Sequence, residues 1–227
     1  MYTVLVVAAH PDDEILGVGG TIARKVAEGQ KAYALILGEG QTSRWDNRNL
    51  AESSVIEKLH VNTLEAAKII GYSQVFFENF PDNRFDSVDL LDIVKKVEKY
   101  IRLLQPDAIY VHHAGDLNID HRIANKAVLT AARPVGSCGV KEIYAFETVS
   151  STEWNFGNRQ LCFYPNVYVD IEKYFDLKCK AMKSYESELC EFPHPRSLEM
   201  LEILAKKWGS TVGKQYVEGF EMVRMIV

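Results

Sequence analysis

Apolar runs alternate with segments of helical periodicity along the first two thirds of the chain. Residues 2–9 form a nearly continuous β-branched and apolar run, which is typical of a strand buried on both faces of a parallel sheet. From about Asp13, apolar residues recur near every 3.6 positions, with acidic residues in the first turn. This segment is predicted to be a helix that follows the first strand directly.

The same alternation continues to about residue 150. The further predicted strands are 31–37, 74–77, 108–112 and 142–148, and the predicted helices are 54–70, 88–104 and about 120–133. Because strands and helices alternate, we expect an α/β fold with a doubly wound, mainly parallel sheet, helices on both faces and right-handed crossovers.

The order changes beyond Ser150. A polar, turn-rich stretch precedes a predicted strand at 167–170, helices near 174–188 and 198–208, and an apolar segment over 216–227. A chain of 227 residues with 47% hydrophobic residues is an ordinary size for one domain with added elements. We therefore expect a single domain over 1–227, in which 1–150 form the core and 151–227 complete the site.

Charge and composition exclude several classes of partner. The net charge is -5 and no basic stripe is present, which argues against nucleic acid as a partner. The apolar run at residues 4–9 is too short for a signal-peptide core, and no stretch is long enough to span a membrane. The four cysteines lie far apart without a CxxC pair, so a reduced, cytoplasmic setting is expected.

Polar residues concentrate at the ends of two predicted strands. His10, Asp12 and Asp13 follow the first strand, and a second group begins where the strand at 108–112 ends. This second group contains His112, His113, Asp116, Asn118, Asp120 and His121. Ligands of open parallel sheets bind beyond the carboxyl ends of the strands, and imidazole with carboxylate suits zinc. We expect the two groups to form one metal site.

The spacing within these groups suggests roles. His10 and Asp13 are separated by a two-residue turn, which lets both side chains converge on one ion, with His121 as a third ligand. Asp12 would lie beside the metal, where a carboxylate can accept a proton from an attacking water. A chance HxxD pair at a capped helix is the alternative, but the second cluster weighs against it. For His112 and His113, a core role and a direct role are equally favoured.

The motifs AHPDDEILGVGGT (9–21) and GDLNIDHR (115–122) resemble the two signatures of the LmbE-like, or PIG-L, deacetylases. FPDNRFD (80–86) and HPRSLEMLEILAKKWGSTVG (194–213) resemble that family's third and fourth blocks. The resemblance implies a Rossmann-like sheet and a Zn²⁺-dependent enzyme that removes an N-acetyl group from an amino sugar. It leaves open whether the chain forms a homo-oligomer, as family members often do.

Matching the motifs residue by residue assigns roles. His10, Asp13 and His121 correspond to the zinc ligands, Asp12 to the general base and Asp120 to a supporting aspartate. Asn118 stands where many members carry a histidine that stabilises the oxyanion or protonates the leaving amine. Asparagine can donate a hydrogen bond but no proton near neutral pH. His194 is therefore our candidate for protonating the amine, and without it Asp12 must return the proton.

Substrate contacts are expected from polar residues in two loops. Arg44 and Arg48 follow the second strand, and Asp82 with Arg84 could bind sugar hydroxyls or form an ion pair that stabilises a turn. The acidic residues of 186–191 are interpreted as a solvated face. Two other functions remain: an amidase acting on a sugar–thiol conjugate, and a non-catalytic zinc or sugar-binding module. Retention of Asp12 favours catalysis over the module.

Overall fold

The computed structural model describes residues 1–45, 53–136, 138–157 and 159–227. Seven strands form one sheet in the order β3-β2-β1-β4-β5-β7-β6. Their bounds are β1 Thr3–Ala8, β2 Lys31–Gly38, β3 Gln74–Phe80, β4 Ala108–His112, β5 Glu142–Phe146, β6 Val167–Asp170 and β7 Val217–Met225. The first five strands are parallel, whereas β7 is antiparallel to both β5 and β6. The predicted α/β class with a mainly parallel sheet is confirmed.

Seven α-helices accompany the sheet in the described part of the chain. They are α1 Asp13–Leu16, α2 Gly19–Ala27, α3 Ser53–Ile70, α4 Leu90–Leu104, α5 Ile119–Ala131, α6 Phe175–Met182 and α7 Leu198–Val212. None of the described helices is long and apolar enough to cross a membrane.

Each face of the sheet has its own hydrophobic core. Alternate residues of β1 separate into the two cores, because successive strand side chains point to opposite faces. Val4 and Val6 pack with residues of α1, α2, α3 and α6 on one face. Leu5 and Val7 pack with residues of α4 and α5 on the other. The helices therefore cover both faces, as the continuous apolar run of β1 predicts.

The helix predicted from Asp13 is interrupted. α1 is a single turn, and α2 begins at Gly19 after Val18, whose φ of -138° and ψ of 8° are not helical. A Cβ atom at Gly17 would overlap the Phe146 ring, and one at Gly20 would lie 2.7 Å from Ile171 Cδ1. These glycines therefore permit close packing of α1 and α2.

Some element bounds differ from the predicted ones near the C-terminus. The helix predicted over 174–188 ends at Met182, and Tyr185 then packs in a turn where its hydroxyl donates to Glu14. The helix predicted over 198–208 continues to Val212 and ends at Gly213, whose φ is +70°. Glycine adopts this left-handed conformation at low cost, so the helix stops there.

Candidate active site

The central strand β1 has β2 on one side and β4 on the other. The chain adds β2 and β3 on the first side and then returns to add β4 and β5 on the second. At such a switch point the connections leave the sheet in opposite directions and open a crevice at the carboxyl ends of the strands. His10 to Asp13 leave β1 at this crevice, and the segment from His113 to His121 leaves β4 beside it. The topology thus brings together the two polar groups that the sequence places at strand ends.

The Asp13 carboxylate lies among three imidazole rings. Its Oδ2 atom is 3.5 Å from His10 Nδ1, 3.4 Å from His112 Nε2 and 3.4 Å from His121 Nε2. Burial is the largest single influence and raises the pKa of this carboxyl, but the neighbouring His121, His112 and His10 together outweigh it and hold the pKa of Asp13 well below its usual range. Asp13 is therefore suited to act as an anionic ligand.

Three of these side chains could share a metal ion. One ligand atom each from His10, Asp13 and His121 lie within 4.8 Å of one another. Asp13 Oδ1 is buried and accepts no hydrogen bond from the described residues. A buried carboxylate oxygen without a partner is costly, and a cation would compensate it. The residues therefore fit a divalent metal, such as Zn²⁺, that is bound by imidazole nitrogen and carboxylate oxygen.

Asp116 lies behind His121 and connects it to the loop after β5. Its Oδ1 atom is 3.2 Å from His121 Nδ1 and accepts a hydrogen bond from Ser151 Oγ. Its Oδ2 atom accepts a hydrogen bond from Thr152 Oγ1 at 2.6 Å. A carboxylate on the far nitrogen of a metal-binding histidine orients the ring. Asp116 is thus placed to orient His121.

His112 supports the site from within the core. Its Nε2 atom accepts a hydrogen bond from the backbone N–H of Ala9 at 2.9 Å, so Nδ1 carries the proton and lies 3.0 Å from Thr148 Oγ1. Burial lowers the pKa of His112 to about 3, and the neighbouring His121 charge acts in the same direction. His112 is therefore a neutral residue that fixes the end of β1. His113 instead binds Glu221 at 2.7 Å.

Asp12 has an uncommon backbone conformation. Its φ is 104°, a left-handed value that non-glycine residues rarely adopt. Burial raises the pKa of its carboxyl well above the usual range, although the Arg196 charge lowers it. Gln41, Asn83 and Ser150 also have positive φ and lie around the same crevice. Backbone strain of this kind concentrates at functional sites.

Arg196 and Glu188 are two of the site residues that the sequence interpretation missed. Arg196 Nη1 donates to Asp12 Oδ2 at 3.2 Å and to Glu188 Oε2 at 2.9 Å. Glu188 is only 6% exposed, so the interpretation of 186–191 as a solvated face is wrong at this residue. Arg196 belongs to the HPRS block and carried that signal, whereas Glu188 stands in an acidic run without a distinguishing pattern.

Asp120 and Asn118 begin α5 close to His10. Asp120 Oδ2 lies 2.9 Å from His10 Nε2, and Asp120 Oδ1 accepts the backbone N–H of Phe85 at 2.9 Å. The Asn118 side chain caps α5 by accepting the N–H of Asp120, and its amide donates to Asn83 Oδ1 at 2.8 Å. Asp120 thus fixes His10, and the Asn118 side-chain amide lies at the same crevice.

A cleft of about 90 Å³ opens beside these groups. Its lining is mostly polar and consists of His10, Pro11, Asp12, Gly40, Gln41, Ser43, Arg44, Leu59, Asp82, Asn83, Asn118, Glu188 and Arg196. Asp82 is buried in this wall, where it accepts the backbone N–H of Ser43 at 2.9 Å and lies 3.2 Å from His10 Nε2. Hydrogen-bond donors and acceptors therefore surround the cleft.

The remaining predicted residues lie in different surroundings. Arg44 lines the cleft and donates to Glu188 Oε2 at 2.7 Å, with half of its side chain exposed. Arg84 is exposed, and neither Arg84 nor His194 is among the cleft-lining residues of the described chain. His194 Nδ1 accepts the backbone N–H of Arg196 at 3.1 Å, and its ring meets Trp154 edge-on. Arg48 lies outside the described residues.

Comparison with known proteins identifies the family of this chain. Residues 5–132 match the PIG-L family, described as GlcNAc-PI de-N-acetylase. This match spans more than half of the chain, and the chain belongs to the PIG-L family. The family resemblance seen in the motifs is thereby confirmed.

Individual relatives extend the likeness beyond the matched region. The uncharacterized deacetylase YaiS of Escherichia coli is 29% identical over 190 residues, covering 81% of this chain and 90% of YaiS. Diacetylchitobiose deacetylase of Thermococcus kodakarensis is 24% identical over 228 residues, covering 97% and 82%. The crystal structure of the conserved protein TT1542 of Thermus thermophilus superposes with a TM-score of 0.78 at 25% identity, covering 100% and 97%. The predicted enzyme class, a deacetylase that hydrolyses an amide bond, is confirmed by these comparisons.

Proposed function

We propose that this protein is a zinc-dependent hydrolase that removes the N-acetyl group from an amino sugar. Two observations carry the proposal: His10, Asp13 and His121 each bring one ligand atom within 4.8 Å of the others, and Asp13 Oδ1 is buried with no hydrogen-bond partner among the described residues. A zinc ion held there would supply Lewis-acid chemistry, polarising the amide carbonyl and making water more acidic. The Asp12 side chain lines the same cleft as His10, and we assign it the role of the base.

The proposed steps use residues that already line the cleft. Asp12 accepts the proton of the attacking water. The Asn118 amide, fixed by its contact with Asn83, donates to the oxygen that becomes negative as the carbonyl is attacked. His194 is outside the cleft lining, so we assign the return of the proton to the leaving amine to Asp12 as well. Cleavage yields acetate and a free amine.

The polar cleft supports a substrate rich in hydroxyl groups. Arg44, Gln41, Ser43 and Asn83 offer donors, and Asp82 offers acceptors, which is the pattern that sugar hydroxyls need. The family description names a GlcNAc conjugate, and the relative from Thermococcus kodakarensis is named as a diacetylchitobiose deacetylase. We therefore propose an N-acetylglucosamine-type glycoconjugate or oligosaccharide as the substrate class.

The proposal is tested with purified, zinc-loaded protein and a panel of N-acetylated amino sugars, oligosaccharides, nucleotide sugars and sugar–thiol conjugates. Acetate and free amine are measured for the wild type, for Asp12→Asn and for the exposed control Asp176→Asn. We expect acetate release from at least one N-acetyl sugar, a loss of about 10²–10⁴-fold in Asp12→Asn and no change in the control.

Other outcomes separate the two remaining functions. Cleavage of the amide between a sugar and a cysteine-derived group, without acetate release, would indicate the conjugate amidase. Zinc binding with no turnover of either substrate type would indicate a binding module and would contradict the hydrolase.

A further inference from the structure

Arg196 joins three acceptors that come from three separate segments. Its Nε atom donates to Ser150 Oγ at 2.8 Å. Its Nη1 atom donates to Glu188 Oε2 at 2.9 Å and to Asp12 Oδ2 at 3.2 Å. The planar guanidinium presents its donors in a fixed fork, so the contacts at Nε and Nη1 define its orientation. The side chain is mostly buried, with 24% exposed.

Glu188 accepts from the same Arg196 nitrogen, Nη1, that donates to Asp12. This buried carboxylate also accepts from Arg44 Nη2 at 2.7 Å and from the amide of Gln41. The neighbouring Ser187 hydroxyl also donates to it, at 3.4 Å. Removing any one donor leaves the others in place, so Glu188 is a well-fixed partner for Arg196.

Asp12 is a residue whose side chain needs such support. It is followed directly by two more buried carboxyl residues, Asp13 and Glu14. Its backbone N–H donates to Glu14 Oε2 at 3.0 Å, which fixes the main chain at the positive φ but leaves the side-chain torsions free. The contact with Arg196 acts on the side chain itself, at Oδ2 of the carboxylate.

We propose that Arg196 is a positioning residue, which fixes the Asp12 carboxylate toward the metal site, and that Glu188 and Ser150 fix Arg196 in turn. The proposal rests on the proposed function, because it gives Asp12 the task of the base. It also explains why the C-terminal HPRS block lies at the cleft although its histidine does not line it. Arg196 acts through Asp12 and not by binding the metal.

Kinetic measurements on Arg196→Ala, Arg196→Lys and Glu188→Gln test the proposal, with the exposed Arg102→Ala as the matched control. A small displacement of a catalytic group costs about 10²-fold in rate. We expect kcat of Arg196→Ala to fall by about that factor, with KM and zinc content unchanged. Arg196→Lys keeps the charge but lacks the fork, so its kcat should be intermediate. Added methylguanidine should restore part of the kcat of Arg196→Ala.

Three results would overturn the inference. A higher KM with unchanged kcat in Arg196→Ala would make Arg196 a substrate-binding residue. A lower melting temperature with unchanged kcat would make its role structural. A loss of zinc in Arg196→Ala, but not in Arg102→Ala, would place its effect on the metal instead of on Asp12.

Crystal structures of the wild type and of Arg196→Ala give a readout that does not depend on turnover. We expect the Asp12 carboxylate to rotate or to lose its defined position in the variant. An unmoved carboxylate would refute the positioning role even if the enzyme deacetylates sugars. Failure of the wild type to release acetate, together with a displaced carboxylate in the variant, would instead refute the proposed function alone.

Discussion

At the scale of single residues, the site is built from carboxylates that each hold a neighbour. Asp120 contacts His10, and Asp116 contacts His121. A carboxylate that orients a metal-binding imidazole also raises the basicity of that imidazole. Removing such a partner commonly lowers metal affinity by about 10–100-fold. The two histidines of the proposed zinc site therefore depend on residues that do not themselves bind the ion.

The Asp116→Asn substitution tests this dependence. It keeps the shape of the side chain but removes the charge that faces His121 Nδ1, so zinc affinity should fall by about 10–100-fold. Competition with a chromogenic chelator measures the dissociation constant. The exposed Asp92→Asn variant on α4 is the control and should bind zinc like the wild type. Equal affinity of Asp116→Asn and the control would show that Asp116 serves only the fold.

How far these residues could be predicted depends on their distance from a motif in sequence. His10, Asp12 and Asp13 directly follow one predicted strand, and His121 lies in the polar motif that follows another, so the sequence predicts that they meet. Glu188 and Arg196 reach the cleft through the path of the chain after α6, which no periodic pattern specifies. Asp82 carried a polar loop signal, but only the fold shows that it is buried against His10 and the Ser43 N–H.

At the scale of elements, α1 determines where Asp13 and Asp12 lie. Gly17, directly after this single turn, has no side chain, so the backbone can pack closely against Phe146 of β5. The apolar periodicity of 13–26 predicts one continuous helix. It correctly indicates which residues of α1 and α2 are buried, although the helix is interrupted. It cannot reveal the break at Val18, because the break arises from contacts with β5 and Ile171 that are remote in sequence.

The Gly17→Ala substitution should therefore destabilise the protein. The added methyl group overlaps the Phe146 ring in a packed core, and overpacking of this kind costs about 1–3 kcal/mol. Urea denaturation measures the free energy of unfolding. Gly139→Ala is the control, since its Cβ would meet only Gln105 Oε1 at 3.7 Å and should have little effect. Equal stability of the two variants would mean that α1 can move away from β5 without cost.

The strands beyond β5 illustrate what periodicity leaves open. The apolar segment at 216–227 is readily recognised as a buried element, and its bounds agree with β7 to within two residues. Its direction and its place between β5 and β6 depend on a connection that passes through α6 and α7. An antiparallel addition to a parallel sheet has no signature in the strand itself, because the side-chain alternation is the same in either direction.

At the scale of the whole molecule, the proposed zinc site joins parts of the chain that meet only in the folded state. His10 and Asp13 follow β1, whereas His121 lies in α5 after β4. The unfolded chain separates these ligands, so an ion that binds all three binds the native state preferentially. Such preferential binding raises the free energy of unfolding by RT ln(1 + [L]/Kd).

Zinc should consequently raise the melting temperature of the metal-free protein. At a free zinc concentration of 100 times Kd the gain is about 2.7 kcal/mol, which corresponds to about 5–10 °C for a chain of this size. Differential scanning fluorimetry of chelator-treated protein, with and without zinc, measures the shift. Asp13→Asn should lose most of it, because the ligand with the uncompensated oxygen is gone. His60→Asn is the matched control, since the His60 ring packs against Phe77 and does not line the cleft, so the substitution should leave the shift intact. An equal shift in Asp13→Asn would place the zinc elsewhere on the protein, and no shift in the wild type would contradict the ligand set of His10, Asp13 and His121.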